Sequence, residues 1–135
     1  MKTSHLVFCL CSLCFMSCAS QQKDTLEKDH GITKIENGKV TISNPDLEYK
    51  VIIMDSGFER WFSINRKPKG YYSLDYLEAK NRRWVQEWNS RAMRPTSGID
   101  YSIDYNAQTH YGYEVNYMLY HYLLYFQQVS NLKLD

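Results

Sequence analysis

The chain has 135 residues, with 16 Lys and Arg against 15 Asp and Glu and 44% of its positions hydrophobic. That length suits one domain, and a net charge of +1 removes the electrostatic case for a nucleic-acid partner. All four cysteines stand at or before position 18, so the rest of the chain holds no disulfide, thiol nucleophile or thiolate metal site.

The N-terminus reads as a leader. MKTSH is a short n-region with one Lys, and LVFCLCSLCFM is an apolar h-region too short for a mature membrane span. Phe15-Met16-Ser17-Cys18-Ala19 then resembles a bacterial lipoprotein cleavage site in a relaxed form, with Phe15 where an aliphatic residue is usual. Cys9, Cys11 and Cys14 each follow a residue too bulky for cleavage, which leaves Cys18 for lipidation. The alternative is ordinary cleavage near Ser17–Ser20 without lipid. Acyl chains at about 0.8 kcal/mol per buried methylene would hold the protein on a membrane with no transmembrane helix. The expected organisation is a lipoprotein signal peptide over 1–17, a polar tether over 18–30 and one small domain over 31–135. The expected location is the cell envelope, lipid-anchored to a bacterial membrane, the outer one preferred and its face left open.

Within the domain, Asn37-Gly38 is the favoured pair for a type I′ turn between the alternating runs Ile32–Ile35 and Val40–Ile42. Two such strands are marginal alone and need a further partner. Ser43-Asn44-Pro45-Asp46 ends the hairpin, and Tyr49–Asp55 is the most apolar strand candidate. Ser56-Gly57-Phe58-Glu59 fits a capping box, with Ser56 as N-cap of a short helix through Ile64. A basic loop, Asn65–Gly70, leads through Tyr71-Tyr72 to the clearest element, a helix from Ser73 as N-cap to the stop at Arg94-Pro95. Leu74, Leu77, Asn81, Trp84, Val85, Trp88 and Ala92 form its apolar stripe, with Arg82, Arg83 and Gln86 opposite. Ile99–Tyr105 reads as an edge strand or an extended connection. The last element, Tyr111–Gln128, is helical by its length, although Val115, Met118, Leu119, Tyr122 and Phe126 make one stripe and Tyr113, Tyr117, Tyr120 and Leu124 a second. A helix apolar on most sides is buried, shared with a partner, or held at a membrane interface. The expected fold class is α+β, an N-terminal β-hairpin and short strands packed with two or three helices.

Candidate chemistry is thin. Twelve tyrosines suit stacking on sugars or docking a partner, yet Trp84 and Trp88 sit where core residues belong. Asp55, at the carboxyl end of a strand, is a possible nucleophile or metal ligand; the plainer reading is a carboxylate bonded to its own turn. His110, Glu114, Tyr117 and His121 share a stripe that could take a metal, but the stripe reads better as the face the last helix turns to water. Asn81, an amide inside an apolar stripe, needs buried partners or a ligand. Phosphate-loop, hydrolase-elbow and zinc-protease motifs are absent, so no positive argument for an enzyme, a cofactor or a metal exists.

Three segments, YKVIIMDSGFERWF, PKGYYSLDYLEAKNRRWVQEWNSR and IDYNAQTHYGYEVNYMLYHYLLYFQQ, resemble a family of small exported lipoproteins of Bacteroidota known as a domain of unknown function. The likeness covers Glu48 to Gln128. The family pattern places an Asp before the Tyr-Gly of the last segment, where this chain has His110, which weakens any site built there. The resemblance implies a lipoprotein signal, a small envelope domain and no transferable activity.

The functional expectation is a membrane-anchored envelope lipoprotein acting as a protein-interaction or structural module. The alternative is a glycan- or peptidoglycan-binding module. The contact residues proposed for either are Tyr71, Tyr72, Asn81, Tyr113, Tyr117 and Tyr120. Burial of Tyr113, Tyr117 and Tyr120 together would remove the motive for both.

Overall fold

The computed structural model describes residues 31–37 and 39–135. The leader, Cys18, the tether and Gly38 of the hairpin turn lie outside the described residues. Three strands, β1 (Ile32–Glu36), β2 (Lys39–Asn44) and β3 (Tyr49–Ile53), are followed by helices α1 (Ser56–Asn65), α2 (Leu74–Ala92) and α3 (Gly112–Ser130). The fold is α+β, as expected.

The hairpin register pairs Glu36 with Lys39 and Ile35 with Val40, leaving two residues in the turn, with Asn37 at φ +51°. This left-handed geometry is what Asn-Gly supplies in a type I′ turn. The partner that a lone hairpin needs is β3, antiparallel to β2 with Ile42 opposite Val51. Between them a single 3-10 turn over Pro45–Leu47 is capped by the Asn44 side chain. Alternation sends Val40, Ile42 and Ile53 inward, and Val40 and Ile42 are fully buried. Ile52, on the other face, is 44% exposed.

α3 explains its own double stripe. It contacts α2 on one side and β2, β1 and α1 on the other, so it is the middle layer between the sheet and α2. Every residue from Glu114 to Leu123 is buried. Each large side chain so placed contributes about 1.5–3 kcal/mol relative to exposure, which is how a domain without disulfides gains its core. α2 buries Leu77, Asn81, Trp84, Val85 and Trp88 of the expected stripe and half-buries Leu74 and Ala92 at its ends, and Ser73 caps it through Tyr76 N.

One expectation changes and one open alternative resolves. The N-cap of α1 is Asp55, not Ser56: its carboxylate accepts from Gly57 N at 2.8 Å and Phe58 N at 3.3 Å. A carboxylate at the positive end of a helix outcompetes a hydroxyl one residue on. The segment Ile99–Tyr105 is an extended connection, not an edge strand. It is fastened by the Asn89 amide, which donates to Ile103 O at 2.9 Å and accepts from Ile103 N at 2.7 Å. One side chain here takes the place of a strand partner. Trp88 Nε1 adds a bond to Tyr101 O at 2.8 Å.

Candidate functional site

The polar stripe on α3 is not its wet face. Glu114 and His121 are 7% and 0% exposed, and Tyr117 is 2% exposed. What covers them is the loop Arg66–Tyr72, the strap, and Glu114, Tyr117 and His121 each hold it. His121 Nε2 accepts from Lys67 N at 3.3 Å, and Tyr117 Oη donates to Lys67 O. Glu114 Oε2 pairs with Lys69 Nζ at 2.5 Å, while its Oε1 accepts from Thr33 Oγ1 at 2.6 Å. Tyr113 Oη accepts from Gly70 N at 2.7 Å and donates to Tyr72 O. Gly70 takes φ +84°, a conformation strained for any side chain.

These contacts set the state of His121. Its Nδ1 lies 2.7 Å from Tyr117 O, an acceptor, so Nδ1 carries the proton and Nε2 is left to accept from Lys67. Burial pushes the imidazole below its ordinary range; the Tyr117 carbonyl opposes this and the nearby Arg66 guanidinium reinforces it. His121 is therefore a neutral structural acceptor. His110, the fourth residue of the stripe, is outside the arrangement, exposed and 3.8 Å from Glu78 Oε1. Among the described residues no three His, Cys, Asp or Glu side chains gather as a metal site.

The strap ends in an aromatic corner. Tyr71 meets Tyr72 edge-on with centroids 4.7 Å apart, and Tyr72 stacks on Tyr76 at 4.9 Å and 11°. Tyr72 also tilts onto Tyr120 at 5.0 Å, and Tyr120 stacks on Trp84 at 5.1 Å. The run passes from surface to core: Tyr71 is 63% exposed and Tyr120 only 5%. Burial, with hydrogen bonds to Tyr72 and Tyr76, raises the Tyr120 phenol well above its ordinary value. Lys67 Nζ lies 5.5 Å from the Tyr71 ring centroid, within cation–π range.

Of the proposed contact residues, then, Tyr117 and Tyr120 are core and Tyr113 is half-buried with its hydroxyl engaged by the strap. Tyr101 is 53% exposed beside Trp88 and Tyr122, and the exposed rings of the corner are Tyr71 and Tyr76 beside half-buried Tyr72; sequence alone did not single out Tyr76. Its i+4 spacing from Tyr72 was the available signal. Asn81 is no surface residue either. Fully buried, it donates from Nδ2 to Asn116 O at 2.9 Å and Asn116 Oδ1 at 3.0 Å. Tyr105 Oη donates to the same Asn116 oxygen at 2.8 Å, and Asn116 Nδ2 bonds to Gly112 O. This amide pair locks α2 to α3. Asp55 bonds its own turn, with Tyr125 Oη donating to it at 3.0 Å.

The sequence profile of one family, described as a family of unknown function (DUF6146), matches residues 6–135. The chain belongs to that family. The match runs beyond the Glu48–Gln128 likeness at both ends, taking in most of the leader, Cys18 and β1–β2. The chain has no match among curated proteins or solved structures. Among the described residues no helix is long and apolar enough to cross a membrane.

Proposed function

We propose that this member of the family is a lipid-anchored envelope protein whose domain is an interaction module, docking a protein partner through the Tyr71–Tyr72–Tyr76 corner. The observation that carries the docking half is the corner itself. Tyr71 and Tyr76 are exposed at 63% and 39%, and both are braced by rings that continue into the core. Rigid, half-buried aromatics lose little entropy on binding and are the residues that anchor interfaces. The anchoring half is supported by the apolar leader, by Ser17-Cys18-Ala19 and by the reach of the family match into that leader. Held to a bilayer by its N-terminus, a module needs no hydrophobic span of its own.

Glycan binding is the second reading, favoured by the same exposed rings. Sugar platforms set aromatic faces side by side toward solvent; here Tyr72 and Tyr76 cover one another, which leaves Tyr71 as the free ring and turns the balance toward a protein partner. In-cell photocrosslinking separates the two readings. A photoreactive residue in place of Tyr71 should capture a discrete protein, while one in place of the exposed Gln86 should not. Equal capture at both positions would reject the docking corner, and specific capture of glycan strands would transfer the reading to the alternative. Fractionation tests the anchor: Cys18→Ala should move the protein from the membrane pellet to the soluble fraction.

A further inference from the structure

Among the contacts that hold the strap to α3, the Lys67 N–His121 Nε2 bond is one whose acceptor a proton turns into a donor. His121 Nε2 accepts from Lys67 N, and its other nitrogen is committed to Tyr117 O. If Nε2 is protonated, two N–H groups face each other across 3.3 Å, with no second acceptor role left for the ring to adopt. The groups that face the imidazole set the sign. From the strap come Arg66 and the Lys67 amide; from α1, the Phe62 ring edge at 5.4 Å. From α3 itself come Tyr117 at 4.4 Å and Tyr120 at 5.3 Å. The nearest carboxylate on α3's stripe, Glu114, is committed to Thr33 and Lys69. The formal charge beside an imidazolium would therefore be the like charge of Arg66.

We infer that His121 is a proton-operated latch: with Nε2 bare it holds the strap to α3, and with Nε2 protonated it releases the strap, freeing Tyr71 and Tyr72 from their fixed corner. The strap also walls a cleft of about 360 Å³ floored by Phe62, Tyr117 and Met118, so release widens access to that apolar floor. The latch is a property of the strap, independent of whether the corner docks a partner.

With the strap open the imidazole regains its ordinary value of 6.5, and with the strap closed it titrates lower. Between those two values the opening constant should rise about tenfold for each pH unit of acidification. The experiment is amide hydrogen exchange from about pH 7.5 to 5 on the mature chain carrying Cys18→Ala, read as protection factors. The Lys67 and Gly70 amides should lose protection as the pH falls below 6.5, by at most about tenfold per pH unit, while Trp84 and Val85 on α2 keep theirs. His121→Gln, which keeps an acceptor and loses the titration, should hold strap protection flat. Flat protection in the parent chain overturns the latch. An unchanged acid response in His121→Gln also overturns it, since Glu114 would then be the titrating group. Should His121→Gln not fold, the ring ¹⁵N shifts of His121 decide: protonation in the folded protein supports the latch, and neutrality until global unfolding contradicts it.

Discussion

Replacing Asn81 by Asp changes one NH₂ to oxygen and leaves volume and shape almost untouched, so the energetics are those of hydrogen bonding alone. The Asn81 side chain has no exposed surface and its Nδ2 faces two acceptors, Asn116 O at 2.9 Å and Asn116 Oδ1 at 3.0 Å. Its own Oδ1 is already a buried acceptor with no donor among the described residues. An ionised carboxylate there would meet acceptors only, and an uncompensated buried charge of this kind costs about 3–5 kcal/mol. The other route, comparable at pH 7 and cheaper as the pH falls, is for the new carboxyl to stay protonated and donate one bond. Relative to an unfolded pKa of about 3.9, staying protonated costs about 4 kcal/mol at pH 7 and about 1.5 kcal/mol at pH 5. Domains of this size have about 5–15 kcal/mol in total, so Asn81→Asp should be marginal at neutral pH and recover with acid. Urea unfolding followed by tryptophan fluorescence, variant against parent at both pH values, measures this. The difference in stability should shrink by about 2.5 kcal/mol on going from pH 7 to pH 5. Asn81→Ala, which loses two bonds but also removes the orphan oxygen, should cost about 1–2 kcal/mol at both. A pH-independent Asn81→Asp penalty under about 1 kcal/mol would show that the amide pair does not join α2 to α3 as described.

Other outcomes follow from single contacts. Asp55→Ala removes the α1 cap and the acceptor of Tyr125, and should lower stability by about 1–2 kcal/mol in chemical denaturation. Gly57→Ala would place a methyl against Tyr125 Oη and 3.1 Å from Asp55 Oδ1; displacing that ring should cost about 1–3 kcal/mol despite the better helix propensity. Burial raises the phenols of Tyr49, Tyr105 and Tyr122 above the ordinary 10.0. A raised phenol favours the protonated, folded form, so this stability is intact below pH 10 and lost as pH rises beyond it. In a pH jump to about 11, phenolate absorbance should therefore appear partly in a slow phase that tracks unfolding; complete ionisation in the dead time would contradict their burial.

Much of the fold was legible because it is local. The β1–β2 register, the left-handed Asn37, the α2 stripe and the Ser73 cap each depend on residues within a few positions of one another. The non-local features were not legible. Nothing within Gly112–Ser130 says that a loop some fifty residues earlier lies over Glu114, Tyr117 and His121, so a polar stripe that looked wet proved buried. For the same reason the tyrosines of α3 looked like a surface. They are the middle layer of a three-layer domain, and the exposed tyrosines are Tyr71 at the entrance to α2, Tyr76 and Tyr101. Asp55 was legible in role, a carboxylate serving its own turn, though not as the cap that displaces Ser56.

The central claim, that this domain works at a membrane surface through lipid on Cys18, is tested most directly by intact-mass spectrometry of the protein purified from membranes of cells fed a labelled fatty acid. The account predicts a chain beginning at Cys18 that carries labelled acyl groups, and an unlabelled product from Cys18→Ala. A mature chain that starts elsewhere, or label that persists in Cys18→Ala, would contradict it.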